Sequence, residues 1–191
     1  VNGRTAAELI AANDFSALSP ANAGDTLTLE ISHNGGPPQT VILTAAVFTL
    51  TPVPVSQVLT LPNASKVGYL VLKDFITQAE APLATAFNEF RVAGARDVIL
   101  YLRYNGGGCI STANVLASLV AGSAYNQNVF TNLIFNTKQS AQNTSYRLSS
   151  QTAGFDRVVV LTGARTCSAS ELVVNGLKPY VQVVTLGGQT C

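Results

Sequence analysis

From Lys66 onward, short apolar runs alternate with segments of helical period, and this order is the strongest constraint on what the chain can fold into. Val67-Gly68-Tyr69-Leu70-Val71-Leu72 reads as a buried strand. Gln78 to Val92 carries Leu83, Ala86, Phe87 and Phe90 at the spacing of one helix face. Asp97 to Leu102 is a second strand, and Gly106-Gly107-Gly108 leads into a helix from about Thr112 to Ala121. Asn128 to Asn136 and Arg157 to Leu161 are strand-like, Ser168 to Leu177 is helical, and Val181 to Leu186 is a last strand. Strands alternating with helices predict an α/β core over residues 66–191. Within it, Gly122 to Gly154 turns polar in its second half and reads as a long surface excursion.

Residues 1–51 have a different character. A turn at Val1-Asn2-Gly3 precedes a short helix near Thr5 to Ala12. Thr26 to His33 and Thr40 to Phe48 flank the turn cluster Asn34-Gly35-Gly36-Pro37-Pro38, a hairpin signal. Pro52, Pro54 and Pro62 mark residues 52–65 as a linker.

Composition removes several function classes. Apolar residues make up 47% of the 191 and charged residues 11%, which supports a sizeable core and argues against disorder. A net charge of +1 without any basic run gives no electrostatic footprint for nucleic acid. No run approaches the roughly 18 apolar residues of a membrane helix, and no signal-peptide pattern is visible. The three cysteines, Cys109, Cys167 and Cys191, leave at least one unpaired within the chain, and with a single histidine, His33, they fit no zinc pattern.

Two segments can carry chemistry. In the first, Val158-Val159-Val160-Leu161 ends in a polar turn, and a helix starts at Ser168. A serine there sits among unpaired backbone N–H groups at the positive end of a helix dipole, where an oxyanion is stabilised. Ser168-Ala169-Ser170-Glu171 is also an ordinary capping box, and the pattern does not separate the two roles. In the second, Val98 to Leu102 runs into Arg103-Tyr104-Asn105-Gly106-Gly107-Gly108. Glycines allow close backbone approach and positive φ. The Gly-Lys-Ser/Thr of a phosphate-binding loop is missing, so the loop reads either as an oxyanion donor or as a tight turn. A serine nucleophile needs a base. His33 lies in the N-terminal hairpin and reads as a surface residue, and none of Lys66, Lys73, Lys138 and Lys178 stands out as a base.

Taken in order, these segments resemble the C-terminal processing (tail-specific) serine peptidases. The matches are Val67-Gly68-Tyr69-Leu70, Leu102-Arg103-Tyr104-Asn105-Gly106-Gly107-Gly108 and Ser168-Ala169-Ser170-Glu171-Leu172, covering Lys66 to Cys191. The resemblance implies a Clp-protease/crotonase-like ββα spiral core with Ser168 as nucleophile. It implies an oxyanion hole from Ala169 with Gly107 or Gly108, Gly107 being the first choice. It also implies a lysine base about 25 residues after the serine, two positions beyond Cys191, and no metal or cofactor. Tyr101 departs from the family, which usually has Asp there.

Residues 1–51 resemble the second half of a PDZ domain. The expected substrates are unfolded or C-terminally tagged polypeptides, cleaved in the bacterial envelope, most simply the periplasm. A non-catalytic peptide-binding or scaffold homologue, or a small-ligand binder using the core cleft, are the alternatives. Because the three motifs should converge, a Cys109–Cys191 disulfide is expected, the alternative being three buried, inert thiols.

Overall fold

The computed structural model describes residues 1–150 and 154–191. The chain divides into two compact units, Val1–Thr49 and Leu50–Cys191.

In the first unit, helix α1 (Ala6–Ala12) begins at a complete capping box. The Glu8 N–H donates to Thr5 Oγ1 (3.2 Å), and the Thr5 N–H donates to Glu8 Oε2 (2.7 Å). Strands β1 (Thr26–Ile31) and β2 (Gln39–Thr44) form an antiparallel hairpin with Leu29 opposite Val41. The hairpin turn places Asn34 and Gly35 at φ +50° and +74°, the conformation this residue pair adopts most readily. Asn2 ties the opening turn to β1, its N–H donating to Thr28 O and its Oδ1 accepting from the Thr28 N–H.

The second unit is the expected α/β core. Its sheet has the order β3 (Val55–Thr60), β4 (Lys66–Val71), β5 (Asp97–Tyr101), β8 (Arg157–Thr162), β9 (Gln182–Gly187). β3 is antiparallel to β4, and the remaining pairs are parallel. Helices α2 (Glu80–Val92), α3 (Ile110–Ala121) and α4 (Ala169–Leu177) make the crossovers. Period-2 alternation puts Leu70, Leu100 and Val160 in one buried row and Val98 and Val158 in the next. The α2 stripe Leu83, Ala86, Phe87 and Phe90 is fully buried, as its spacing predicts.

Two expectations are corrected. The proline-marked linker over residues 52–65 contains strand β3. Pro52 and Pro54 precede the strand and Pro62 follows it, so no ladder N–H is lost, and β3 is an edge strand. The excursion from Gly122 to Gly154 is not wholly superficial. Strands β6 (Val129–Leu133) and β7 (Thr144–Arg147) form a bulged hairpin, and Phe130 in β6 and Leu148 just after β7 belong to the buried core. Residues 151–153 of that segment lie outside the described residues.

Every loop of chemical interest leaves the C-terminal end of a parallel strand. In open parallel sheets this edge gathers ligand sites, because consecutive loops emerge side by side there.

Close packing of α2 on the sheet depends on Gly68. A Cβ there would lie 2.3 Å from the Phe90 ring. Gly68→Ala is expected to destabilise the fold by about 1–3 kcal/mol through overpacking, read as a lower denaturant midpoint with an unchanged m-value.

Candidate active site

After β8 the chain makes a short turn and starts α4. Thr166 builds the turn. It is fully buried; its Oγ1 donates to Leu102 O (2.7 Å) and accepts from the Gly163 N–H (3.0 Å). Two residues on, Ser168 stands at φ +56°, ψ −118°, where a non-glycine residue is strained by about 1–3 kcal/mol. The strain lifts an exposed serine to the crest of a strand-to-helix turn, while the following Ala169 and Ser170 are buried. Sharp turns of this kind present nucleophiles in other hydrolase folds. The capping box is formed: the Ser168 N–H donates to Glu171 Oε2 (3.0 Å), and the serine side chain faces the Glu171 N–H.

The glycine loop after β5 lies directly beneath this turn. Gly107 has φ +105°, and a Cβ there would sit 2.8 Å from Ser168 Cβ and 2.9 Å from the Ala169 nitrogen. Only glycine permits that approach. Asn105, 1% exposed, organises the loop. Its Nδ2 donates to Leu72 O (3.0 Å), and its Oδ1 accepts from the Gly107 N–H (2.8 Å). Its carbonyl accepts from Ser170 Oγ (3.0 Å) and from the Cys167 N–H (3.2 Å). One buried residue thus joins the end of β4, the glycine loop and the serine turn.

This geometry distinguishes the expected oxyanion donors. The Gly107 N–H is committed to Asn105, which removes the first choice. The flanking groups also have partners: the Phe75 N–H donates to Gly107 O (2.9 Å), and the Cys109 N–H donates to Phe75 O (2.7 Å). Among the described residues, the N–H groups of Gly108 and Ala169 have no hydrogen-bond partner.

The end of β9 arrives at the same turn. The Cys191 N–H donates to Thr166 O (3.2 Å), and Thr190 Oγ1 donates to Glu171 Oε1 (2.7 Å). A disulfide joins Cys191 to Cys167, with Cα atoms 5.4 Å apart, and Cys109 is free and exposed. The expected Cys109–Cys191 pairing is therefore corrected, and three free thiols are excluded. The strand order supplies the reason. Cys167 follows β8, the neighbour of β9, whereas Cys109 is tied to Phe75 beyond β4, on the other side of β5.

The remaining candidates lie elsewhere. His33 is exposed in the first unit, its Nε2 3.0 Å from Asn34 Nδ2. Lys66 donates to Thr60 Oγ1 (2.6 Å) and Lys178 to Asn175 Oδ1 (2.9 Å). Lys73 and Lys138 are exposed, and none of the four lysines bonds to Ser168. Tyr101, at the end of β5, has its ring centroid 6.2 Å from that of Tyr104, and both line an open cleft with Leu72, Asn105 and Arg165. The sequence reading missed the roles of Asn105, Thr166 and the Glu171–Thr190 pair. A buried Asn ahead of glycines was the one available signal.

An exposed serine thus stands on a strand-to-helix turn over a glycine loop, at the C-terminal edge of a parallel sheet. Residues 66–191 match the model of peptidase family S41, and the chain belongs to that family. The chain is 27% identical over 165 residues to a carboxyl-terminal-processing protease of Synechocystis sp., covering 86% of this chain and 37% of that protein. A carboxyl-terminal-processing protease of Picosynechococcus sp. is 26% identical over 168 residues, covering 87% and 38% respectively. The chain thus spans less than two fifths of these relatives. Its fold is similar to a Bacteroides fragilis structure assigned to the S41 proteases, with TM-score 0.71 and 27% identity, covering 88% of this chain and 49% of that one. It is also similar in fold to a photosystem II D1 C-terminal processing protease, with TM-score 0.61 and 23% identity, covering 88% and 45%.

Two measurements follow from this geometry. Asn105→Ala orphans the Gly107 N–H and the Leu72 carbonyl, at about 1–3 kcal/mol for each buried group. A loss of about 2–5 kcal/mol in unfolding free energy is the expected result. Non-reducing peptide mapping should recover the Cys167 peptide linked to the Cys191 peptide, with Cys109 alkylated.

Proposed function

We propose that the full protein is a serine endopeptidase that cleaves unfolded or C-terminally tagged polypeptides, with Ser168 as its nucleophile. The observation that carries this reading is the exposed Ser168 at positive φ, above a glycine loop and beside two uncommitted N–H groups. Ser168 Oγ attacks the scissile carbonyl carbon and its proton passes to a base. The carbonyl oxygen, now negative, is held by the N–H groups of Ala169 and Gly108. Such preorganised donors contribute more than any other single effect in many hydrolases. Collapse expels the amine, which takes the proton from the base, and water then releases the acyl group by the same route.

The base in this reading is a lysine two positions beyond Cys191. Two residues of extended chain reach at most about 7 Å, so a lysine there is within range of the turn to which Cys191 is bonded. Burial among protein groups favours the neutral amine, which is the form able to accept the serine proton. No metal or cofactor enters this scheme.

In the same reading, residues 1–49 are the second half of a PDZ-like module whose hairpin binds the substrate's C-terminal end by strand addition. The protein would act in the bacterial cell envelope; the carboxyl-terminal-processing proteases it is similar to come from bacteria. Among the described residues no helix is long and apolar enough to cross a membrane.

The test is cleavage of an unstructured protein by the full-length protein and by its Ser168→Ala variant. The expected outcome is turnover by the parent and a fall of at least a thousandfold in the variant. Equal turnover by both would return Ser168 to the role of a helix cap. No turnover by either would favour a peptide-binding role.

A further inference from the structure

The ladder between β8 and β9 ends at the pair Thr162–Gly187. Beyond it, Gly188, Gln189 and Cys191 are exposed and only Thr190 is half-buried, so apolar burial does little to hold this segment. Hydrogen bonds dock its start, where the Gly188 N–H donates to Thr162 O (3.2 Å) and Thr162 Oγ1 donates to Gly188 O (2.9 Å).

At its end there are three ties. One is the hydrogen bond from the Cys191 N–H to Thr166 O. Another is the Glu171 carboxylate, which takes Thr190 Oγ1 on one oxygen and the Ser168 N–H on the other. The third is the Cys167–Cys191 disulfide. Among the described residues the disulfide is the only covalent tie, and it attaches to the residue immediately before Ser168. It is also reachable, since Cys191 is exposed and Cys167 half-buried.

We propose that the Cys167–Cys191 disulfide, with Glu171 beside it, is a clamp that positions the chain following β9 against the nucleophile turn, so that catalysis depends on its redox state. The proposal rests on the reading above, in which the base lies just past Cys191. Closed, the clamp holds the base-bearing segment in register with Ser168. A dithiol reductant opens it. One thiolate of the reductant attacks a protein sulfur, and the other protein sulfur leaves as a thiolate. The second reductant thiol then closes the reductant's own disulfide. Two electrons and two protons end on the Cys167 and Cys191 thiols. What remains are hydrogen bonds at an exposed chain segment, each worth little against water. The segment then departs from attack geometry while the substrate-binding surface stays intact.

The test compares the oxidised full-length protein with the same protein after dithiothreitol, with thiols counted in both. The expected result is a fall in kcat on the order of 10- to 100-fold, the usual consequence of misplacing a catalytic group by about 1 Å, with KM changed less than about twofold. Amide exchange should rise at Cys191, whose N–H bonds to Thr166 O, while β5 and β8 stay protected. The Cys167→Ser/Cys191→Ser double variant should behave as the reduced protein and ignore dithiothreitol, and Cys109→Ser should keep the response.

Full kcat in the reduced protein overturns the clamp. So does a loss accompanied by exchange throughout β5 and β8, which marks general loosening. If the oxidised parent cleaves nothing, the functional reading fails. The exchange measurement then decides the clamp alone, and unchanged protection at Cys191 on reduction refutes it.

Discussion

The site depends on the side chain and carbonyl of Asn105. Sealed from water, this residue bonds to the end of β4, to Gly107 and to the turn that carries Ser168. A buried amide without partners costs more than the net gain from each bond it makes. Asn105 is therefore stable only when all three elements are in place, and each is held to the others through it. Thr166 repeats the device one loop over, between Leu102 and Gly163. Together they convert the approximate neighbourhood of three loops into a defined arrangement of backbone.

That arrangement supports conformations the chain avoids elsewhere. Ser168 at φ +56° is strained, and Gly107 at φ +105° lies closer to Ser168 Cβ and the Ala169 nitrogen than any side chain would allow. Packing and hydrogen bonds outweigh the cost, as they must wherever a strained residue persists. The strain produces an exposed hydroxyl beside N–H groups that the fold leaves unpaired. Glu171 makes two connections: it caps the start of the helix in the ordinary way at the Ser168 N–H, and with its other oxygen it receives Thr190 from the segment that follows β9.

Much of the core was legible in the sequence. The run from Val67 to Leu72, the stripe Leu83–Ala86–Phe87–Phe90 and the Ser-x-x-Glu start at Ser168 are local signals, written within one or two turns of chain. Each formed where its period placed it. The strand Val55–Thr60 was hidden because its flanking prolines look like breakers, and only membership of a sheet edge makes them harmless. Phe130 and Leu148 were hidden because they are isolated core residues in and next to an otherwise polar hairpin.

By itself the sequence determined the order of the parallel strands and helices of the core and the two loops able to carry chemistry, because apolar period, glycine content and capping pattern act over short range. The tertiary structure alone decided which cysteines pair, which backbone donors stay free and what Asn105 joins. Those outcomes follow from strand order in the sheet and from hydrogen bonds between residues 33 and 65 positions apart, which no local pattern encodes.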